Sequence, residues 1–514
     1  MSESLQAEVI AFLSNPVNLP GGAPVEVIRT HGAVVFLSGK DAYKIKRDVR
    51  YDYLDFSTLQ QRREALEREL ELNAPTAPSI YRDVIAMTRD NSGQLQLDGN
   101  GPVAEWVLRM QRFDSADELD KVAERGALDD AMAETLGEVI ARYHAGAPPR
   151  REYVGSDLIS AILEQLSRNF QAMVGDLDAG DVKQFRRVSG RTFDSVAATL
   201  DERAKAGFVR RSHGDLHLRN IVLIDGVPTP FDALEFNETL ATCDVFYDLA
   251  FLLMDLRQKG LPGAANLVFN SYLFHARCRD HYAGLSLFPL FQSIRAAIRA
   301  MVGVQAARLD PDNDSRLSEA QNYLSSALAY LKPEPARLVA VGGYSGTGKT
   351  VLARSLAQSL GSAPGAIHLR SDLERKALFE VSATSRLPQS AYDSRTNSRV
   401  YDIMRDKAHA ALSCGYSVIL DATWLDEDER ARLSEFVNNA DVQFTGLWLT
   451  ADTAVLQQRV SARRADASDA DAAVVRKQID QKRMSVPTSW QEIDASGSPD
   501  DIRLRAWDAL SSNC

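Results

Sequence analysis

Two stretches of the chain carry residue types at spacings suited to handling phosphate. The first, Gly343-Tyr-Ser-Gly-Thr-Gly-Lys-Thr350, fits GxxxxGK[ST] in full. Glycines at 343, 346 and 348, with Ser345 and Thr347 between them, let backbone N–H groups face phosphate oxygens at the positive end of the following helix. Lys349 is expected to reach the β- and γ-phosphates, and Thr350 to hold Mg2+ through its hydroxyl. Asp421 ends the apolar strand Ser417-Val-Ile-Leu-Asp421, where a carboxylate can hold the water shell of that ion. Asp372 follows the strand Ala366–Arg370 and should stand at the same C-terminal sheet edge. There it either accepts the proton of an attacking hydroxyl or caps a helix. Arg459 and Arg463 share a helix face by their i, i+4 spacing; with Arg464 they form either a lid over the transferring phosphoryl group or a solvated charge run.

The second stretch, His213-Gly-Asp-Leu-His-Leu-Arg-Asn220, has the HxDxxxxN spacing of a kinase catalytic loop. A strand, the turn Asp225-Gly226 and a second strand then lead to Asp232. Such a hairpin sets Asn220 beside Asp232 as two Mg2+ ligands and aims Asp215 at an acceptor hydroxyl as general base. His213 is expected to brace the loop. A cation over the α- and β-phosphates is also required, held by a helix carboxylate. Lys44 in the strand AYKIK is placed for this, with Lys46 on the same strand face as the alternative. In the next helix Glu69 is the first candidate for its partner and Glu64 the second. The acids Glu235, Glu238, Asp244, Asp248 and Asp255 form either a wall for a cationic acceptor or a helix start enriched in acids by its dipole. His213 and His217 lack a third ligand at zinc spacing.

These residues need two kinds of scaffold. Residues 25–48 read as strands with short turns, 57–73 as a charged amphipathic helix, and 80–88 and 103–110 as further strands, a small β-rich lobe. Helical periodicity runs from about 115 to 205, strand-turn-strand over 220–232, and helices over 244–331. After the seam Leu331-Lys-Pro-Glu-Pro-Ala336, strands at 338–342, 366–369, 417–421 and 444–449 alternate with helices at 349–360, 397–413, 426–437 and 452–462, the pattern of a parallel α/β sheet. The fold class is thus a two-lobed α+β part, residues 1–332 with lobes of about 1–110 and 111–332, joined to an α/β P-loop part, residues 336–514. The 514 residues suit about three compact units at roughly 150 residues each. A composition 45% apolar and 25% charged excludes a collagen-like or wholly disordered chain. No uninterrupted apolar run reaches membrane-spanning length, and the first residues carry acids where a secretory signal is basic. Cys243, Cys278, Cys414 and Cys514 form neither CxxC nor a disulfide framework, so a cytoplasmic setting with reduced thiols is expected. Of the net charge of −11, about −9 lies in residues 1–332, and the absence of a basic tail disfavours extended nucleic-acid binding.

The P-loop, SDLERK (371–376), VILDAT (418–423) and RVSARR (459–464) together resemble small P-loop kinases such as gluconate kinase, chloramphenicol phosphotransferase and the 5′-hydroxyl polynucleotide kinases. That resemblance implies that Asp372 contacts or deprotonates the acceptor hydroxyl. HGDLHLRN with Asp232 resembles the aminoglycoside phosphotransferases and the wider eukaryotic-kinase-like small-molecule kinases. It implies Asp215 as base, Asn220 and Asp232 as metal ligands and Lys44 as phosphate clamp. Two features depart from protein kinases: Thr30-His-Gly-Ala33 stands where they carry GxGxxG, and Ala-Leu follows Asp232 in place of Phe-Gly, which removes their switch phenylalanine. The whole chain resembles bacterial fusions of an aminoglycoside-phosphotransferase-like domain with an AAA-type, ATP-binding P-loop domain. The expected function is a bifunctional ATP- and Mg2+-dependent kinase for a small-molecule hydroxyl. The alternatives are a nucleotide-gated sensor with one catalytic half, and a 5′-hydroxyl nucleic-acid kinase in the C-terminal half.

Overall fold

Side-chain alternation organises the first sheet. The computed structural model describes residues 2–51, 54–309, 314–462, 468–469, 472–481 and 486–512. It begins with the helix Ser2–Ser14 (α1) and the strands Val25–Arg29 (β1), Ala33–Ser38 (β2) and Asp41–Lys46 (β3). On β3, Tyr43 and Ile45 pack on one face with Val9 and Leu13 of α1. Ala42 packs on the other face with Leu66, Leu108 and Val222. By the same two-residue period, Lys44 and Lys46 share the face of Ala42. Helix Leu59–Asn73 (α2) covers that face. It starts at a capping box between Thr58 and Gln61 and buries Arg62, Ala65, Leu66, Glu69 and Asn73, one stripe at three- to four-residue spacing. Tyr81–Arg89 (β4), Leu95–Leu97 (β5) and Val103–Gln111 (β6) complete an antiparallel sheet of order β1-β2-β3-β6-β4-β5. Arg62 ties α2 to β6 by donating from Nε to both oxygens of the buried Glu105, at 3.0 and 2.9 Å.

Helices Asp130–Gly146 (α3), Gly155–Gln171 (α4) and Ala179–Ala206 (α5) follow, then the strand Val209–Arg211 (β7), the hairpin Ile221–Ile224 (β8) and Val227–Pro230 (β9), and Thr242–Asp244 (β10), paired antiparallel with β7. The chain continues through Val245–Gln258 (α6), Pro262–His275 (α7), Phe288–Leu309 (α8) and Asp314–Tyr330 (α9). Asp280–Leu309 is long and apolar enough to cross a bilayer, but 67% of its most apolar window is buried within the fold. That burial is typical of a packed core helix.

Beyond the prolines come Arg337–Gly343 (β11), Lys349–Ala357 (α10), Ile367–Arg370 (β12), Ser371–Leu378 (α11), Ser394–Ser413 (α12), Val418–Asp421 (β13), Glu427–Ala440 (α13), Gln443–Thr450 (β14), Thr453–Ala462 (α14), Ala472–Gln481 (α15), Trp490–Asp494 (β15) and Pro499–Ser511 (α16). Five strands pair in parallel in the order β12-β13-β11-β14-β15. Central β11 is buried from Leu338 to Gly343, as a strand covered on both faces must be. The α+β part and the α/β P-loop part expected from the sequence are both present. Strands β5, β7, β10 and β15 and helices α1, α11, α15 and α16 were not among the expected elements.

By packing, the chain divides into Met1–Leu158 with Glu202–Asp255, and Ile159–Asp201 with Leu256–Cys514. The proline seam marks where the parallel sheet begins in sequence, and packing groups the helices immediately before it with that sheet. Replacing Arg62 by Leu strands a buried carboxylate, so Arg62→Leu is expected to cost about 3–5 kcal/mol in urea denaturation, with Arg62→Lys recovering part of it. A loss below about 1 kcal/mol would show that the Arg62–Glu105 pair does not anchor α2.

Candidate functional site

In the first unit one carboxylate, Glu69, organises two lysines. Glu69 is fully buried. Its Oε1 accepts from Lys44 Nζ at 2.7 Å and its Oε2 from Lys46 Nζ at 2.6 Å. Lys44 also donates to Asp232 Oδ1 at 2.8 Å, and Lys46 to Glu235. Both lysine candidates therefore meet Glu69, while Glu64 accepts from its own neighbour Gln60. Burial works against the charge of Lys44, but Asp232, Glu69 and Glu235 outweigh it and hold its pKa well above the ordinary value. Burial likewise pushes the Asp232 carboxyl up, and Lys44 more than reverses this. Asp232 sits at φ +59°, a left-handed conformation that Asp tolerates better than most residues. Two buried side chains fix the backbone there: Asp232 N–H donates to Tyr81 Oη at 3.1 Å and Ala233 N–H to Asn73 Oδ1 at 2.9 Å.

The hairpin of β8 and β9 brings the remaining groups together. Ile221 pairs with Pro230, and Phe231 N–H donates to the Asn220 carbonyl at 3.0 Å, so Asn220 and Asp232 emerge side by side. Asn220 Nδ2 donates to the Asp215 carbonyl at 2.9 Å and to its Oδ2 at 3.1 Å, which leaves the Asn220 amide oxygen as the atom suited to a hard cation. His213 braces the loop as expected, its Nε2 lying 2.9 Å from the Phe231 carbonyl.

The acids offered as a wall for a cationic acceptor have other work. Asp248, fully buried, accepts from the N–H groups of His213 and Gly214, both at 3.0 Å, and lies 3.2 Å from His144 Nε2. Asp244 forms a two-pronged pair with Arg203 at 2.7 and 2.8 Å. Asp255 accepts from Leu218 N–H at 3.0 Å, and Glu238 pairs with Arg68 and Arg211. With Glu235 on Lys46, every member of the set neutralises or orders the protein itself. The spacing of Asp244 and Asp248 reflects this scaffolding.

In the second unit the P-loop joins β11 to α10. Gly348, at φ +90°, is the N-cap of α10. A side chain on Gly346, also at φ +90°, would meet the Leu456 carbonyl at 2.7 Å, because α14 packs against the loop. Lys349 Nζ donates to the Tyr344 carbonyl at 2.9 Å, Thr347 Oγ1 to the same carbonyl at 2.8 Å, and Ser345 N–H to Gln478 Oε1 at 3.0 Å. Thr350 Oγ1 lies 2.7 Å from Asp421 Oδ2. The same oxygen receives His368 Nε2 at 3.2 Å, a partner the motif search did not single out. Burial pushes the Asp421 carboxyl up, but His368, Arg370 and Lys349 bring it down to about 2. Burial raises the carboxyl of Asp372; Asp421 adds to this, while Arg370 and Lys349 oppose it. Asp372, the first side chain but one in α11, thus feels Lys349 and Asp421 directly. Arg459 is part-exposed on α14, one residue from Val460, whose side chain also borders Gly346. Arg463 lies outside the described residues.

Both oxygen sets fit a hard cation: a hydroxyl with one ionised carboxylate at Thr350 and Asp421, and an amide with a carboxylate at Asn220 and Asp232. Among the described residues no group of three or more His, Cys, Asp or Glu could hold a metal.

The uncharacterized protein Rv2004c of Mycobacterium tuberculosis is 31% identical to this chain over 463 residues, covering 88% of each. The chain belongs to the Rv2004c family. Residues 338–486, which hold the P-loop, Asp372 and Asp421, match the AAA_33 family, an AAA domain. Among solved structures, a choline/ethanolamine kinase family protein from Mesorhizobium loti is similar over 64% of this chain and 99% of its own, at 16% identity and a TM-score of 0.39. A gluconokinase from Sinorhizobium meliloti 1021 is similar over 35% of this chain and 94% of its own, at 15% identity and a TM-score of 0.27. For this member of the family, the hydrogen bonds of Asp248 predict that Asp248→Ala costs about 3 kcal/mol in chemical denaturation, since two buried N–H groups lose their acceptor. Asp215, whose side chain is 43% exposed, should tolerate Ala at less than about 1 kcal/mol. Equal losses in the two variants would contradict this division of labour.

Proposed function

We propose that the chain is a bifunctional ATP- and Mg2+-dependent phosphotransferase, with one site in residues 1–332 and one in residues 336–514, each moving a γ-phosphoryl group to a small-molecule hydroxyl. The observation that supports this reading is that each candidate site combines a lysine, oxygen groups of the kind that hold a hard cation, and a further carboxylate: Lys44, Asn220 with Asp232, and Asp215 in one, and Lys349, Thr350 with Asp421, and Asp372 in the other. In the first site Lys44, held by Glu69, binds the α- and β-phosphates, and Asn220 and Asp232 hold the metal. Asp215 accepts the acceptor hydroxyl proton as its oxygen bonds to phosphorus and the bond from the γ-phosphorus to the bridging oxygen breaks, releasing ADP. In the second, P-loop N–H groups and Lys349 bind the phosphates, Thr350 and Asp421 hold the metal, and Asp372 orients or deprotonates the hydroxyl. Arg459 and Arg463 are the lid candidates. Mg2+, when bound, draws off charge from the phosphate oxygens. A net charge of −11 suits a small acceptor better than a polynucleotide, and described cysteines outside any disulfide suit a cytosol.

The test is transfer from γ-labelled ATP to a panel of alcohols, with the full chain, Asp215→Asn, Lys349→Ala and the double variant. Each single substitution is expected to remove one labelled product by about a hundredfold or more and spare the other. ATP hydrolysis that no acceptor and neither substitution alters would contradict the reading. Label on a 5′-hydroxyl oligonucleotide, lost in Lys349→Ala, would reassign the second site.

The raised carboxyl of Asp372 gives a pH signature. A base must be ionised, so P-loop transfer is lost as pH falls through that raised pKa, at a higher pH than the ordinary aspartate value of about 3.9. Asp421, at about 2, stays ionised through the same range. An acid limb of kcat/KM at or below the ordinary value would argue against Asp372 as the base.

A further inference from the structure

Strand β12 is an edge of the parallel sheet. An open edge leaves a row of backbone N–H and C=O groups to be satisfied. Ile367 and Leu369 turn toward β13, where Ile367 N–H donates to the Ser417 carbonyl at 2.9 Å, so residues 366 and 368 face outward. Their partners come from α7, a helix that precedes the proline seam. Asn270 Oδ1 accepts from His368 N–H at 2.7 Å, and its Nδ2 donates to the Ala366 carbonyl at 3.2 Å. This single side-chain amide thus occupies the position of a neighbouring strand's peptide group. Asn266, one helical turn earlier and buried, donates to the carbonyls of Pro364 at 3.3 Å and Ala366 at 3.1 Å. Asn270 Nδ2 in turn donates to Asn266 Oδ1 at 3.2 Å, which fixes both amides in one orientation. A side chain at Gly365 would come within 2.8 Å of Asn266 Nδ2, so the close approach of helix and strand depends on a glycine there.

The residue held by Asn270 is the one that touches the metal-site carboxylate. A carboxylate can only accept, so His368 carries its proton on Nε2 and donates it to Asp421 Oδ2. Thr350 Oγ1 ends on the same oxygen, and these two bonds set the rotation of the carboxylate.

We propose that Asn270 and His368 are positioning residues of the P-loop site: Asn270 fixes the backbone of His368, and the His368 ring fixes the Asp421 carboxylate for Mg2+. The orientation of that ligand therefore depends on a helix 98 residues before it in the case of His368, outside the P-loop segment altogether. The inference rests on the reading of Asp421 as a ligand of the nucleotide-bound Mg2+.

The experiment uses the full chain, with ADP and Mg2+ as probes, and follows the part of ADP binding that is lost in Lys349→Ala. Calorimetry gives the ADP affinity in EDTA and the Mg2+ concentration that half-maximally tightens binding. Groups that orient a metal ligand typically change metal affinity by 10–100-fold, so His368→Ala is expected to raise the Mg2+ requirement about tenfold, and Asn270→Ala about threefold. His368→Gln, whose amide can still donate, should stay within about threefold of the parent. In all three variants ADP affinity in EDTA should stay within about twofold, a readout that general loosening of the fold would move. If His368→Ala does not fold, Asn270→Ala and His368→Gln carry the comparison. Folded His368→Ala and Asn270→Ala proteins with an unchanged Mg2+ requirement, or with equal losses with and without the metal, would overturn the inference alone. A parent chain with no Lys349-dependent, Mg2+-sensitive ADP binding would overturn the P-loop reading and the inference with it.

Discussion

A carboxylate leaves water only when cations or hydrogen-bond donors surround it, and both candidate sites are built on one that meets this condition. In the first it is Glu69, fully buried and bonded to Lys44 and Lys46. In the second it is Asp421, bonded to Thr350 and His368. The surrounding elements supply what these groups require. Strand β3 has its two lysines two residues apart so that both reach Glu69, and α2 starts at a capping box that fixes its register. Strands β12 and β13 run in parallel, with His368 opposite Ile419, so that the His368 ring reaches diagonally to Asp421 two residues on. Without its partners either carboxylate would take up a proton or pull in water, and the proposed phosphate site beside it would lose its candidate ligand or clamp.

The two candidate sites hold the loops of their proposed metal ligands differently. In the first, Ala-Leu follows Asp232, so no aromatic latch is available. The chain Asp232–Lys44–Glu69–Lys46–Glu235 links that loop ionically to the strand and helix that carry the lysines and the glutamate. Tyr81 and Asn73 hold the backbone at the same point. In the second, the restraint is the sheet itself, completed at its edge by asparagines of α7. The members of the relay other than Asp232 are largely buried, so salt screens it little.

Much of this was legible in the sequence because it rests on local periods and short spacings. The two-residue alternation of AYKIK placed Lys44 and Lys46 on one face, and the hairpin length between Asn220 and Asp232 set them side by side. The P-loop, β11 and α10 follow from a motif in its proper context. What the sequence did not disclose depends on partners far apart in the chain. Asp248 looks like a surface acid at a helix start, and only packing shows that it holds the N–H groups of His213 and Gly214, 35 and 34 residues earlier. His368 sits in an ordinary strand, and Asn270 in an ordinary helix. Strand β15 escaped because Trp490-Gln-Glu-Ile-Asp494 carries as many polar residues as a loop. Its apolar contribution is two side chains, Ile493 in the core beside Leu447 and Leu449 and the Trp490 ring packed where Gly342 and Gly446 leave room.

The central claim is that this one chain holds two distinct nucleotide sites, each built on its own lysine. Calorimetric stoichiometry of ADP with saturating Mg2+ measures this most directly. The account predicts two nucleotides bound per chain, falling to one in Lys44→Met and, independently, to one in Lys349→Ala. A stoichiometry of one in the parent chain, unchanged by either substitution, would contradict it.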